Sequence, residues 1–253
     1  MLEFCLRALA IAVVAYFCGC FNGAVIVSKY ILRDDVRTHG SGNAGLTNFH
    51  RTFGGPLTLV VILCDVLKAV VAVLFGVFIA SGLSSAGQVL GPDISVAMDT
   101  MLDVYQGKDS VLGLMAVMDD SFFDGYVPYI GLAKYWAAVF CLLGHMFPCM
   151  FGFKGGKGIL SGGTVALMLD WRLALLVWGG FILLVALTRF VSLGSVFASA
   201  AFPVGTWLFV SRDPIIMALA IFLGILIIWM HRANIKRLLK GEENKLSFHK
   251  KTS

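Results

Sequence analysis

The sequence has little charge, and its cysteines follow no recognisable pairing or metal-binding pattern. Only 14% of the 253 residues are charged and 58% are hydrophobic, whereas an average soluble domain has about 25% and roughly 45–50%. This composition argues against a water-soluble globule. The six cysteines contain no Cys-x-x-Cys pair, so we interpret them as packed thiols. Alternating segments of about ten residues, which are typical of membrane β-strands, are absent as well.

Several catalytic and nucleotide-binding patterns are also missing. No histidine is followed by an aspartate after four intervening residues, and no Gly-x-Ser-x-Gly nucleophile elbow occurs. No pair of carboxylates has the arrangement used by metal-dependent phosphatidyl transferases. The glycine-rich run at 152–158 is not a Walker A loop. Only three residues separate Gly152 from Gly156-Lys157, where a Walker A loop has four, and Gly158 replaces the Ser or Thr that binds Mg²⁺. A nucleotide triphosphatase is therefore disfavoured.

The sequence does contain apolar stretches of the length that crosses a bilayer, about 20 residues. These stretches lie at 8–31, 56–80, 132–151, 159–170, 172–188, 194–210 and 214–230. We therefore predict an all-α, polytopic membrane helical bundle with about seven transmembrane helices, forming one domain over 1–253. The stretch at 159–170 is short, so it could be a tilted span, a half-helix or a re-entrant segment.

The distribution of basic residues predicts the orientation of these spans. With the N-terminus outside, the segments 32–55, 152–158, 189–193 and 231–253 face the cytoplasm, and 14 of the 20 Lys and Arg residues lie in or beside them. The C-terminus is then a basic cytoplasmic tail over 231–253. The segment 81–131 faces outside and is rich in aspartate, and we interpret it as a small surface cap or a mobile insertion rather than as a site.

Three polar segments fall on the cytoplasmic side in this topology. The first, at 38–51, combines glycines that allow close approach to a ligand with the neutral donors Ser41, Asn43, Thr47 and Asn48 and with Arg51, whose planar fork suits an oxyanion. Its alternative interpretation is an ordinary interfacial turn.

The second and third segments are also basic. The second, at 144–158, carries His145, Lys154 and Lys157 on a glycine loop that leads into an apolar helix, which favours a phosphate site. Its lysines could instead anchor the positive side of the membrane. The third, at 231–243, places His231 and Asn234 on one helix face, and its alternative is an amphipathic helix that binds anionic headgroups.

Two smaller features lie inside or at the ends of spans. Asp65 and Lys68 are three residues apart on the second span, where they can pair and offset the cost of burial, so a structural role is favoured over catalysis. Ser192 and Ser195 follow Arg189 at the inner end of the sixth span. These two hydroxyls could bind substrate or could merely cap a helix.

These segments resemble the motifs of the bacterial acyl-phosphate:glycerol-3-phosphate acyltransferase family, the integral-membrane PlsY type. The resemblance covers about 4–80 and 132–245 and is carried by three motifs in order. They read Ser41-Gly42-Asn43-x-Gly45-x-x-Asn48-x-x-Arg51, then Gly144-His145-x-Phe147-Pro148 with Phe153-Lys154-Gly155-Gly156-Lys157-Gly158, and finally His231-x-x-Asn234-Ile235-x-Arg237-Leu238-x-x-Gly241-x-Glu243.

The sequence departs from the family pattern in three places. The insertion at 81–131 has no known counterpart. Leu160-Ser161 stands where Ala-Thr is usual, and Cys20-Phe21-Asn22 stands where the family tends to have Ser-Ile-Pro.

The resemblance implies transfer of an acyl chain from acyl phosphate to the 1-hydroxyl of glycerol 3-phosphate, giving lysophosphatidic acid and phosphate. It implies no metal, no other cofactor, no acyl-CoA and no acyl carrier protein. It also implies a multi-pass protein of the bacterial plasma membrane with a cytoplasmic active site. The partners would be the two substrates and membrane lipids, without nucleic acid, and the soluble enzyme that supplies acyl phosphate is a candidate protein partner.

The same resemblance implies roles for individual residues, with direct attack by the acceptor hydroxyl rather than a covalent intermediate. The implied catalytic residues are Ser41, Asn43, Arg51, Lys154, Ser192 and His231. The implied substrate-binding residues are Gly42, Gly45, Thr47, Asn48, His145, Gly155, Gly156, Lys157, Gly158, Ser195, Asn234, Arg237 and Glu243. A carrier for glycerol phosphate or another organophosphate and a non-catalytic lipid-binding scaffold are the alternatives from other functional classes.

Overall fold

The computed structural model describes residues 2–85 and 120–246, and every regular element in these ranges is helical. In chain order the helices are α1 (Leu2–Cys20), α2 (Gly23–Ile26), α3 (Leu46–Thr52), α4 (Leu57–Ser85), α5 (Asp120–Met146), α6 (Ile159–Leu169), α7 (Trp171–Thr188), α8 (Val191–Phe209), α9 (Pro214–Met230) and α10 (Arg232–Leu239). A π-helical turn (Val27–Ile31) continues α2, and short 3-10 turns (Val36–Thr38 and Cys149–Phe151) lie in the connections. The predicted all-α fold is confirmed.

The described helices include several that are long and apolar enough to cross a membrane. Five segments meet this requirement, namely Phe4–Ile31, Leu57–Ala80, Ile130–Phe151, Trp171–Thr188 and Val191–Phe209. A sixth results if α9 and α10, which are bent by 57° at His231, form one span. Helix α6 is apolar but has only 11 residues. The multi-pass membrane bundle is thus confirmed, whereas the count of seven spans and the N-out orientation stay predictions.

Both ends of the predicted insertion at 81–131 are helical. Helix α4 continues to Ser85 and α5 begins at Asp120, so 81–85 and 120–131 are helical rather than part of a loop. Residues 86–119, which make up most of the predicted insertion, lie outside the described residues, as do 247–253 of the predicted tail.

The first predicted span, 8–31, is interrupted rather than continuous. Helix α1 ends at Cys20, and Asn22 begins α2 by accepting a hydrogen bond from the backbone N–H of Val25 at 3.1 Å. The side-chain amide of Asn22 also donates to the carbonyl of Ala44 at 3.1 Å. Asn22 stands where the resembling family tends to have proline, and here it both caps a helix and ties the break to the first polar segment.

Helix α5 lies at the centre of the bundle, where it packs against α1, α4 and α9, while α6, α7 and α8 pack on one another beside it. Its inward residues include Tyr135, Cys141 and Leu142, which are fully buried. Outward-facing leucines such as Leu59, Leu63 and Leu67 recur every four residues along α4 and are exposed. This arrangement fits a bundle whose outer surface contacts lipid.

Small residues bring α1 and α5 into backbone contact. A Cβ atom at Gly19 would collide with the carbonyl of Cys141, and one at Gly144 would collide with the carbonyl of Tyr16. Close approach of this kind is how membrane helices commonly associate. The crossing fixes His145, the residue after Gly144, relative to the break in the first span.

We expect Gly19→Ala to destabilise the bundle by about 1–3 kcal/mol, because the added methyl group forces the two backbones apart. Gly179→Ala is the matched control, since nothing lies within 4 Å of a Cβ atom at that helical position. Thermal unfolding in detergent, followed by near-ultraviolet circular dichroism, measures both. Equal transition midpoints for the two variants would contradict the close crossing.

Candidate active site

The three polar segments, which the predicted topology places on one side of the membrane, converge on one cavity of about 760 Å³. Fifteen of the nineteen predicted site residues line it, namely Ser41, Asn43, Gly45, Thr47, Asn48, Arg51, His145, Lys157, Gly158, Ser192, Ser195, His231, Asn234, Arg237 and Glu243. Gly42, Lys154, Gly155 and Gly156 do not line it. The segments therefore form one site.

The first segment is a tight loop that is organised by Asn48. The buried side chain of Asn48 donates to the carbonyls of Val36 and His39, both at 3.0 Å, and accepts from the backbone N–H of Ser41 at 3.0 Å. Gly40 has a φ of 55°, and a Cβ atom there would collide with the Asn48 amide. Asn48 shapes the loop, while Ser41 and Arg51 are exposed at the cavity.

The second segment folds back on the end of α5. The backbone N–H groups of Gly155 and Gly156 donate to the carbonyls of Met146 and His145, each at 3.1 Å. These two glycines therefore close the loop, and their N–H groups are already used. Gly158 then adopts a φ of 82° and begins α6, which places the start of that short helix at the cavity.

The two lysines of the second segment, Lys154 and Lys157, point in different directions, which the sequence could not show. Lys157 reaches into the cavity, where its ammonium donates to the side-chain carbonyl of Asn234. Lys154 is exposed outside the cavity. Burial lowers the pKa of Lys157 to about 8, the Arg237 guanidinium adds to this effect, and Glu243 opposes it. The catalytic role predicted for Lys154 stays a prediction. The placement of the two side chains favours Lys157 as the lysine that contacts the ligand.

The third segment supplies a polar wall built around Glu243. This carboxylate accepts from the Asn234 amide at 2.8 Å and from Arg237 Nε at 2.7 Å. Burial would raise the pKa of Glu243, but these two hydrogen bonds hold it below its ordinary value. Glu243 is therefore a buried anion that fixes Asn234 and Arg237, and Asn234 in turn holds Lys157.

His231 lies at the bend between α9 and α10 and is buried. Its Nδ1 atom is 2.8 Å from the carbonyl of Ile227, which can only accept, so Nδ1 carries the proton. The neutral ring then presents the lone pair of Nε2 as its remaining polar group. The alternative interpretation of this segment, an amphipathic helix that binds anionic headgroups, applies only to the opposite face of α10, where Arg232 and Lys236 are exposed.

The structure distinguishes the two serines of α8. Ser195 Oγ donates to the carbonyl of Val191 at 2.9 Å, four residues earlier. Ser192 Oγ is buried near the Glu243 carboxylate, whose pKa it helps to lower, but it makes no hydrogen bond of normal geometry among the described residues. Neither hydroxyl caps the helix, because the N-cap position is Phe190 and has no side-chain cap. A buried hydroxyl without a partner is costly unless a ligand satisfies it. This favours Ser192 over Ser195 as the serine that binds the ligand.

Two residues that sequence reasoning overlooked hold the loops together. Arg37 donates to the carbonyl of Phe151 at 2.7 Å and pairs with Asp35 at 2.7 Å. The Asn244 carbonyl accepts from Arg51 Nη2 at 3.2 Å. Neither residue lies at a spacing that indicates a site, since both act through loop geometry. A direct backbone bond from Ala44 N–H to the Gly155 carbonyl, at 3.4 Å, joins the first two segments.

The cavity combines positive charge with an apolar wall. Both of its lining carboxylates are neutralised, Glu243 by Arg237 and Asp65 by Lys68 at 2.6 Å. Arg51 and Lys157 are the lining cations that have no carboxylate partner in the described part of the chain. Leu160, Trp178, Phe181 and Val191 line the cavity as well. The site thus suits a ligand with an anionic end and an apolar end.

No group of three or more His, Cys, Asp or Glu side chains that could hold a metal ion occurs within residues 2–85 and 120–246.

Comparison with known proteins identifies the family. A family model described as glycerol-3-phosphate acyltransferase matches residues 9–241. The glycerol-3-phosphate acyltransferase of Clostridioides difficile is 36% identical over 236 residues, which cover 93% of this chain and 94% of the relative. That of Chlorobaculum tepidum is 35% identical over 269 residues, which cover 97% and 99%.

Solved structures agree with the sequence relatives. The chain is similar to PlsY, an integral membrane glycerol 3-phosphate acyltransferase, in its glycerol 3-phosphate form, with a TM-score of 0.68, 26% identity and coverage of 95% of this chain and 96% of that one. For the lysophosphatidic acid form the TM-score is 0.65, with 25% identity and 95% coverage of both chains. The chain belongs to the glycerol-3-phosphate acyltransferase family and is of the integral-membrane PlsY type.

Proposed function

We propose that this protein transfers an acyl chain from acyl phosphate to the 1-hydroxyl of glycerol 3-phosphate, at the cytoplasmic face of the bacterial plasma membrane. The observation that carries the proposal is the single cavity in which two unneutralised cations, Arg51 and Lys157, face an apolar wall. Both substrates have anionic phosphate groups, and one also has an acyl chain. The glycerol 3-phosphate and lysophosphatidic acid forms of the similar PlsY structures support this assignment.

The reaction requires no covalent intermediate. The 1-hydroxyl oxygen of glycerol 3-phosphate attacks the acyl carbonyl carbon, the bond between that carbon and the bridging oxygen breaks, and the phosphate group leaves. The departing phosphate takes the hydroxyl proton. In this scheme the protein contributes positioning and preorganised positive charge, which suits a site that holds Lys157 through Asn234 and Glu243.

The decisive experiment uses purified protein in a lipidic medium with palmitoyl phosphate and glycerol 3-phosphate. We expect phosphate release that depends on the acceptor, lysophosphatidic acid as the product, and no use of palmitoyl-CoA. Use of palmitoyl-CoA would overturn the donor assignment. Uptake of glycerol 3-phosphate by vesicles without ester formation would favour the alternative of an organophosphate carrier.

We expect kcat/KM for glycerol 3-phosphate to fall as the pH rises through about 8. The protonated form of Lys157 binds phosphate, and its lowered pKa of about 8 means that this form is present below that pH and lost above it. Arginine does not titrate in this range, so Lys157→Arg should remove this alkaline limb whatever its absolute rate. Persistence of the limb in Lys157→Arg would assign it to another group.

The two serines of α8 provide a test of phosphate binding. We expect Ser192→Ala to raise KM for glycerol 3-phosphate by about tenfold, the cost of one hydrogen bond to a charged group. Ser195→Ala is the matched control and should change KM less than about threefold, because that hydroxyl already bonds to a backbone carbonyl. Steady-state kinetics measures both, and a larger effect at Ser195 would contradict the assignment.

A further inference from the structure

A buried ion pair lies against the cavity on α4. Lys68 Nζ is 2.6 Å from Asp65 Oδ1, and the two side chains are only 2% and 4% exposed. Charged groups inside a membrane protein are costly, and a buried pair can often be replaced by apolar residues without loss of stability. Such a pair is therefore weak support for the fold, and its position beside the cavity, which Asp65 lines, suggests a role at the site.

The ammonium of Lys68 has two further contacts. It lies 3.4 Å from the carbonyl of Phe21, at the break in the first span, and 2.5 Å from Nδ1 of His145. Together with Asp65 these contacts use its three N–H groups. An ammonium can only donate, so Nδ1 of His145 must accept, and the proton of the neutral ring is on Nε2. Asp65 Oδ1 is 3.7 Å from the same Nδ1, which is beyond hydrogen-bond distance.

The other edge of the His145 ring faces the glycine-lysine loop. A Cβ atom at Gly156 would collide with Nε2, so only glycine fits beside it. His145 and Asp65 both line the cavity. The Nε2–H group therefore lies where the loop and the cavity meet.

We propose that Lys68, held by Asp65, is a positioning residue that fixes His145 as the neutral Nε2–H tautomer, so that His145 donates a hydrogen bond to an oxygen of the anion bound in the cavity. This inference rests on the function proposed above for the identity of that anion. It gives the two cavity histidines opposite roles, since Nε2 of His145 donates whereas Nε2 of His231 carries a lone pair. A tautomer with no lone pair toward the cavity cannot act there as a general base.

The test removes both charges at once, because removing one alone would leave an unpaired buried charge that could prevent folding. Protein labelled with ¹⁵N-histidine is compared with the Asp65→Leu/Lys68→Met variant by nitrogen NMR, and His145→Gln identifies the signals of His145. We expect an unprotonated Nδ1 and a protonated Nε2 in the wild type. In the variant we expect loss of this fixed tautomer and a fall in kcat of about tenfold, typical of one misplaced hydrogen bond.

Two further variants separate positioning from a structural role. Lys134→Met is the matched control, because Lys134 is another lysine of the bundle and bonds only to the Met168 carbonyl at 3.3 Å among the described contacts; its NMR signals and kcat should match the wild type. In a His145→Gln background, whose amide has no tautomer, the double replacement should leave kcat nearly unchanged.

Other results would overturn the inference. A protonated Nδ1 in the wild type would do so directly. A double variant that unfolds at lower temperature but keeps the His145 signals and kcat would show a purely structural pair. The NMR result does not depend on turnover, so a wild-type protein with the fixed tautomer but no acyl transfer would refute the proposed function alone.

Discussion

Replacing Lys157 with methionine is expected to lower kcat by about a hundredfold to a thousandfold, the usual cost of losing a preorganised charge at a reacting group. Lys157 is a cation inside the cavity and is held by the Asn234, Glu243 and Arg237 network. The same replacement at Lys154, which lies outside the cavity, should change kcat less than about threefold. Initial rates of phosphate release measure both.

Comparing Lys157→Met with Lys154→Met shows which of the two lysines in this loop contributes to catalysis. The sequence motif makes both lysines candidates, and the reasoning from sequence alone put catalytic weight on Lys154. A greater loss at Lys154 than at Lys157 would mean that the loop rearranges when substrates bind. An unchanged elution profile and thermal midpoint would show that Lys157→Met remains folded.

Replacing Arg51 with alanine is expected to lower kcat/KM by about a hundredfold. Its guanidinium lines the cavity and uses one nitrogen on the Asn244 carbonyl, which leaves other N–H groups for phosphate. Arg51→Lys should recover only part of the loss, because an ammonium cannot form the same planar pair of bonds. Steady-state kinetics with each substrate varied in turn measures the change.

Lys236 offers the matched control, since it is an exposed cation on α10 that does not line the cavity. Lys236→Ala should stay within about threefold of the wild type. If catalysis is mainly positioning and electrostatics, Arg51→Ala also costs more than His145→Ala or His231→Ala. Loss of turnover in His231→Ala with unchanged substrate binding would instead indicate general-base catalysis.

Much of the fold could be predicted because bilayer length and apolar composition determine it. The predicted span 214–230 coincides with α9, and 172–188 and 159–170 differ from α7 and α6 by a single residue at one end. The interrupted first span was not predicted, because Phe21-Asn22 lies within an apolar run and the contact of Asn22 with the Ala44 carbonyl is visible only in the structure. The predicted topology placed the three segments on one side of the membrane, but only the structure brings them into one cavity.

The detailed site was less predictable, because it depends on loop conformation. Lys154 and Lys157 have similar sequence surroundings, and their different directions depend on the conformation of the loop, whose backbone is left-handed at Gly152, Phe153 and Gly158. Asp65 and Lys68 were recognised as a pair from their spacing, but their contact with His145 joins residues 77 positions apart. No periodic pattern contains that information.

The three polar segments are linked to each other in a closed ring. The first joins the second through Ala44 and Gly155, the second joins the third through Lys157 and Asn234, and the residue after the third joins the first through Asn244 and Arg51. In such a ring, loss of any single link leaves every segment still connected to the others by the remaining two. The architecture is therefore redundant against one broken contact, and the bond from Arg37 to the Phe151 carbonyl adds a further link beside the first two segments.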